Sequence, residues 1–78
     1  MMITKNELVE RKWQSKDSYI WMKNNFNSTV TLNLETGQGN LIIYKSKYGK
    51  LELRFNINAF PGLSEIEAFC IKFIILDE

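Results

Sequence analysis

The chain has 78 residues, of which 45% are hydrophobic, and carries a formal net charge of +1. This length predicts one domain, residues 1–78, with a small core and a narrow margin of stability, and the composition excludes a disordered chain. The balanced charge excludes a general electrostatic attraction to nucleic acid or to a membrane. Since the sequence contains no apolar run of about 18 residues and no signal-peptide core, we expect a cytoplasmic protein that does not cross a membrane.

The first predicted element is a short helix over residues 4–12. Thr4 and Glu7 have the spacing of a capping box, in which each side chain bonds to the backbone of the other. About two turns are too few for a helix to be stable alone, so we expect Trp13 to anchor it to the rest of the fold. Residues 14–18 are polar and are predicted to be a connection.

Four strands are predicted next, over residues 19–23, 29–34, 41–46 and 51–57. In the last of them apolar and polar residues alternate from Leu51 to Ile57, which is the period of a half-buried strand. In the first one the alternation does not indicate whether Tyr19 and Trp21 face the core or the solvent. Glycine-containing turns at residues 35–40 and 47–50 predict hairpins between the last three strands.

The C-terminal segment is predicted to be an amphipathic helix. Ser64 and Glu67 fit a second capping box. Apolar residues then follow at helical spacing, namely Ile66, Phe69, Cys70, Phe73 and Ile74. A strand is the competing interpretation of residues 70–76, because that run is rich in β-branched and aromatic residues.

These elements predict an α+β domain of two layers, in which both helices cover one face of a four-stranded antiparallel meander. One face of the sheet would be buried, and its residues would be Val30, Leu32, Leu34, Leu51, Leu53 and Phe55. The opposite face would be open, and its residues would be Thr29, Thr31, Asn33, Ile42, Tyr44, Ser46, Glu52, Arg54 and Asn56. Tyr19 and Trp21 are candidates for the same open face.

The sequence argues against an enzyme. It has no histidine, the commonest general base and metal ligand. Its single cysteine, Cys70, has no histidine to activate it and cannot form an internal disulfide. The carboxylates are scattered, so no catalytic residue, metal site or cofactor is predicted.

Nucleic-acid binding is one functional hypothesis. Aromatic and basic side chains alternate along the third predicted strand, its turn and the fourth strand, namely Tyr44, Lys45, Lys47, Tyr48, Lys50 and Arg54. Rings that stack on bases beside cations that pair with phosphates are typical of proteins that bind single strands. A solvated hairpin tip explains the same residues without any ligand.

Protein binding is the hypothesis that we favour. An open sheet face that is polar but carries aromatic side chains and an arginine has the composition of an interface. The predicted partner-binding residues are Tyr44, Lys45, Lys47, Tyr48, Lys50, Arg54 and Asn56. The second helix has more apolar surface than a small sheet can cover, so Ile71 and Ile75 are predicted as the interface of a homodimeric accessory protein, the third hypothesis.

In style, the chain resembles small accessory proteins of phages and mobile elements in low-GC bacteria. It is rich in lysine, isoleucine and asparagine, its arginines are Arg11 and Arg54, and a helix-start phrase at residues 3–9 precedes aromatic-rich hairpins. The resemblance implies an inhibitor of the anti-CRISPR or anti-defence kind, which binds a host protein such as a nucleoprotein nuclease complex and blocks it sterically. It carries over no individual residue.

Overall fold

The computed structural model describes residues 3–25, 27–46 and 49–76. Its elements are α1 (Lys5–Glu10), β1 (Gln14–Ser15), β2 (Ile20–Asn24), β3 (Ser28–Asn33), β4 (Gln38–Ser46), β5 (Gly49–Asn56), a 3₁₀ turn (Ile57–Ala59) and α2 (Leu63–Leu76). The strands form one sheet in the order β1-β2-β3-β4-β5, and all neighbours are antiparallel. The predicted α+β class, the two helices and the antiparallel meander are therefore confirmed.

The predicted number of strands was wrong, because the sheet has five strands rather than four. Gln14 and Ser15, predicted to lie in a connection, pair with Met22 and Trp21 as the edge strand β1. Two polar residues are too short a run to show any hydrophobic period, so the pattern could not predict this strand.

Both helices pack on the same face of the sheet. The strand registers place Trp21, Leu32 and Leu41 on one face, and these residues form a single cluster with Leu8 of α1 and Ile66 of α2. The buried core consists of Leu8, Trp13, Trp21, Val30, Leu32, Leu41, Ile43, Ile57, Leu63, Ile66 and Cys70. Neither helix in the described ranges is long and apolar enough to span a membrane.

Helix α1 begins as predicted. The Thr4 hydroxyl accepts a hydrogen bond from the backbone N–H of Glu7 at 3.2 Å, so this residue is the N-cap. The helix ends earlier than expected, at Glu10, and Lys12 follows with a φ of 70°. This left-handed residue turns the chain so that Trp13 enters the core.

Helix α2 settles the competing interpretations of residues 70–76 in favour of a helix. The predicted capping box at its start was wrong. Ser64 lies inside the helix and its hydroxyl bonds the carboxylate of Glu65 at 2.9 Å. The carboxylate of Glu67 instead accepts hydrogen bonds from side chains outside α2, those of Arg11, Trp13 and Lys23.

Four phenylalanines fill the space between β5 and α2. The rings of Phe55, Phe60, Phe69 and Phe73 contact one another edge to face, with centroids 5.0 to 5.7 Å apart, which is a favourable aromatic geometry. Leu51, predicted to be buried on the same side of the sheet, is 38% exposed. The reason is its position on β5, which is the edge of the sheet.

Candidate functional site: the open face of the sheet

The face of the sheet opposite the helices is the candidate site. The registers place the following residues on it: Gln14, Ile20, Met22, Asn24, Thr29, Thr31, Asn33, Gln38, Asn40, Ile42, Glu52, Arg54 and Asn56. Tyr44 joins them through its hydrogen bond to Thr29, and Lys50 through its alternation with Leu51 in β5. Amide and hydroxyl side chains dominate, and the charged positions all lie on β5. Because strands alternate their side chains, the same registers that build the core also fix this surface.

Rows of mostly polar side chains cross the strands on this face. In one row Met22 lies beside Thr31, which lies beside Asn40, which lies beside Arg54. Neighbours in such a row have Cβ atoms roughly 5 Å apart. A ligand lying across the strands would therefore meet a regular series of hydrogen-bonding groups.

Tyr44 is held on this face by a chain of hydrogen bonds. Its hydroxyl donates to Oγ1 of Thr29 at 2.9 Å, and that hydroxyl donates in turn to Oδ1 of Asn24 at 2.7 Å. Thr29 is buried, whereas the tyrosine is 53% exposed. The phenol ring is thus fixed in orientation and still presents surface to a partner, which reduces the entropy lost on binding.

Two adjoining depressions lie at the end of the open face where β3 meets β4. The first has a volume of about 310 Å³ and is lined by Ile20, Thr31, Asn33, Thr36, Gln38 and Asn40. The second has a volume of about 490 Å³ and is lined by Thr36, Gly37, Gln38, Arg54, Phe55, Asn56 and Asn58. Within the described chain, the buried Oδ1 of Asn40 has no hydrogen-bond partner.

The charges of the open face partly neutralise each other. Nε of Arg54 lies 3.3 Å from the Glu52 carboxylate, and the two side chains are 71% and 40% exposed. An ion pair this exposed contributes roughly 1 kcal/mol or less. The guanidinium can therefore exchange its carboxylate for one on a partner at little cost.

The structure brings four of the seven predicted partner-binding residues to the open face, namely Tyr44, Lys50, Arg54 and Asn56. Lys47 and Tyr48 lie outside the described residues, as does the side chain of Lys45, whose backbone belongs to β4. Asn56 also has a structural role, since its Oδ1 accepts from the backbone N–H of Asn58 at 2.9 Å.

Trp21 was wrongly considered a candidate for the open face. It is 6% exposed and belongs to the core, whereas Tyr19, which precedes β2, is 51% exposed. Pairing of Trp21 with Leu32 sets its direction, and pairing cannot be read from a five-residue segment alone. The outward assignment of Ile42 is confirmed by its pairing with Thr29, and that of Tyr44 by its exposure and its hydrogen bond to Thr29.

Sequence reasoning missed Gln38 and Asn40, because residues 35–40 were predicted to be a link. In the structure β4 already begins at Gln38. A period of two does run through the segment, with polar Gln38 and Asn40 alternating with Gly39 and Leu41. The glycine concealed it, since that residue is normally a sign of a turn.

Of the predicted oligomer interface on α2, the structure describes the side chain of Ile71. Ile71 is 50% exposed, and Phe73 is 39% exposed. The side chain of Ile75 lies outside the described residues.

The single cysteine, Cys70, lies on α2 and away from the open face. Burial raises the pKa of the Cys70 thiol to about 11, and the negative charge of Glu67 adds to the effect. A thiol held in this neutral form is a poor nucleophile. Among the described residues no three His, Cys, Asp or Glu side chains are grouped to hold a metal ion.

The fold and the open face define the class of the molecule as a small α+β domain with one uncovered sheet face. Comparison with protein-family models, with curated proteins and with solved structures finds no match for the chain.

Proposed function

We propose that the chain is a non-enzymatic binding module that docks on a protein through the open face of its sheet. The observation that carries the proposal is the position of α1 and α2, which both pack on one face and leave the other to amide, hydroxyl and tyrosine side chains. A five-stranded surface of this kind offers contact area for a partner, and binding requires no catalytic group.

The composition of the face favours a protein as the ligand. Asparagine, glutamine and threonine can each donate and accept, so they match the mixed polar groups of a protein surface. Tyr44 is an oriented aromatic anchor, and such residues carry much of the energy at interfaces. Lysine and glutamate, which interfaces tend to avoid, are confined to the edge strand β5.

Nucleic acid is the weaker alternative. Arg54 is already paired with Glu52, so the open face presents little net positive charge for phosphates. Binding of single strands depends on cations along the backbone path. In the described residues, Lys50 is the one further cation on this face, placed there by its alternation with Leu51 in β5.

More specifically, the binding module would act as a steric inhibitor of its partner. It rests on the stylistic resemblance to accessory proteins of phages and mobile elements, which act by occupying a surface of a host defence protein. An inhibitor of this type needs a rigid face and no catalytic group. The sheet, crossed by the hydrogen-bond chain from Tyr44 to Asn24, provides such rigidity.

The test captures partners with the tagged chain from a lysate of its native host, with and without nuclease, and identifies them by mass spectrometry. The affinity of a captured protein is then measured for two open-face variants, Thr31→Arg and Ile42→Arg. Ile71→Arg is the matched control, because Ile71 is exposed on α2, on the helix side of the sheet. Thermal unfolding checks that each variant is folded.

We expect a partner that survives nuclease treatment and whose affinity falls about tenfold or more with each open-face variant, as for residues near the centre of an interface. The control should bind like the wild type. Equal loss with Ile71→Arg would move the site to α2. Capture that disappears with nuclease would replace a protein partner by a nucleic acid.

A further inference from the structure

Strand β5 is the exposed edge of the sheet. It is eight residues long, and in the described chain it has a strand neighbour on one side only, β4. Its Leu51 side chain is 38% exposed and that of Arg54 is 71% exposed. A long edge strand with exposed apolar side chains is a template for pairing with another strand.

The direction of the backbone groups shows which residues of β5 can pair outward. The N–H of Ile57 donates to the carbonyl of Gly37, on the β4 side, at 2.8 Å. Successive residues of a strand point their N–H and C=O groups to opposite sides. Lys50, Glu52 and Arg54 therefore direct these groups away from β4, toward the open edge.

We propose that β5 pairs antiparallel with β5 of a second copy, across a two-fold axis at Leu53. In this register the outward-directed Glu52 stands opposite Arg54 of the partner subunit, and Lys50 stands opposite the partner's Asn56. Each such pair exchanges both of its N–H···O=C bonds, as hydrogen-bonded pairs of an antiparallel ladder do. The pairing covers residues 50–56.

The symmetric registers with axes at residues 51, 52 and 54 are less favourable. An axis at Glu52 places that carboxylate opposite its own copy and Lys50 opposite the partner's Arg54. An axis at Arg54 places two guanidinium groups together. Like charges directly opposite each other destabilise a ladder. An axis at Leu51 pairs Lys50 with the partner's Glu52 but shortens the described overlap to residues 49–53. Charge complementarity and length together select the axis at Leu53.

In this arrangement the Glu52 and Arg54 side chains of the two subunits form a square in which negative and positive charges alternate. Each Arg54 lies beside its own Glu52 along the strand, at 3.3 Å, and opposite the partner's Glu52 across the strands. Each carboxylate likewise has a guanidinium on both sides. The exposed ion pair of the single chain thus becomes a network of four charges, in which each side chain is already ordered by one partner.

The apolar side of β5 is completed at the same time. Leu53 lies opposite the partner's Leu53, and the exposed Leu51 lies opposite the partner's Phe55, on the helix side of both sheets. The two five-stranded sheets become one continuous sheet, and the two open faces lie side by side. The pairing does not depend on the function proposed above, and its failure would leave that function untouched.

Charge-reversal variants test the pairing through the mass in solution. In the dimer, Glu52→Arg puts four positive charges at positions 52 and 54, and Arg54→Glu puts four negative charges there. We expect the wild type to form a dimer. Each variant alone should have a dimer dissociation constant at least about tenfold higher, and mixing the two variants should restore the dimer. Sedimentation analysis measures all three, and circular dichroism confirms that the variants are folded.

A cysteine variant tests the register. In the proposed pairing, Leu53 and the partner's Leu53 form a non-hydrogen-bonded pair, whose Cα atoms are roughly 4.5 Å apart. A disulfide can span that distance. Leu53→Cys should therefore form a covalent dimer under mild oxidation, and Leu51→Cys should not. Cys70 is buried and can stay in place in both variants.

Three results would overturn the pairing. One is a wild type that stays monomeric up to about 1 mM, where even a weak dimer would be detected. Another is a dimer unaffected by both charge reversals but abolished by Ile71→Glu, which would place the contact on α2. The third is a disulfide in Leu51→Cys rather than in Leu53→Cys.

Discussion

The indole Nε1 of Trp13 donates a hydrogen bond of 2.7 Å to the carboxylate of Glu67, which is 54 positions further along the chain. The same carboxylate pairs with Arg11 at 2.7 Å and with Lys23 at 3.2 Å. The side chain of Glu67 is only 12% exposed. One carboxylate therefore joins the end of α1, the strand β2 and the helix α2.

Replacing this carboxylate should destabilise the protein in a pH-dependent way. Burial raises the pKa of Glu67, but the hydrogen bonds from Arg11, Trp13 and Lys23 outweigh burial and lower the pKa below its ordinary 4.5. The charged form therefore stabilises the fold fully above about pH 4.5, and its contribution disappears as the pH falls through the lower native pKa. We expect Glu67→Gln to lose about 1 to 3 kcal/mol of unfolding free energy at pH 7.

Urea denaturation of both proteins at a series of pH values measures this difference. It should be constant near neutrality and shrink in acid. Glu35→Gln is the control, because Glu35 is exposed in a turn, and it should change stability by less than about 0.5 kcal/mol. A loss in Glu67→Gln that is the same at every pH would show that the charge is not what stabilises the fold.

Gly39 and Phe55 are a second pair of residues whose effects on stability should be coupled. They face each other on β4 and β5, and a Cβ on Gly39 would overlap the Phe55 ring. Gly39→Ala should therefore cost about 1 to 3 kcal/mol through overpacking. In a Phe55→Leu background, where the ring is gone, the same change should cost clearly less. A double-mutant cycle by thermal unfolding measures the coupling, and additive effects would contradict the overlap.

The order and type of most elements could be predicted because their signals are local. Alternation from Leu51 to Asn56 and a helical stripe from Ile66 to Ile74 each identify an element without its neighbours. The same reasoning failed where the secondary structure of a segment depends on pairing with a distant strand. Gln14 becomes a strand residue only because Met22 pairs with it, and no pattern in its own segment records that.

The open face was predicted in outline and incompletely in its residues. Thr31 and Arg54 follow from alternation, which the structure keeps, and Tyr44 follows from the need of its hydroxyl for water or a partner. Asn40 was missed because Gly39 beside it indicates a turn by itself, whereas here the glycine makes room for the Phe55 ring. Such a close approach between strands is a property of the packed sheet and not of the segment.

Cys70 should be unreactive in the folded protein. Its thiol is 2% exposed, and burial raises its pKa from an ordinary 9.0 to about 11. The thiolate fraction alone then falls about a hundredfold at pH 8. Iodoacetamide should label the native protein at least that much more slowly than the urea-unfolded chain, with a rate that follows unfolding. Rapid labelling of the native protein would mean that α2 opens locally at this residue.

The two predicted capping boxes should differ in their effect on stability. Thr4 accepts the hydrogen bond of an N-cap from Glu7, so Thr4→Ala should cost about 1 kcal/mol. Ser64 lies within α2 and its hydroxyl bonds the exposed carboxylate of Glu65, so Ser64→Ala should cost less than about 0.5 kcal/mol. Chemical denaturation of the two variants in parallel measures both values. Equal losses would mean that Ser64 caps α2 in solution and that Glu67 is shared between the cap and the side chains of Arg11 and Trp13.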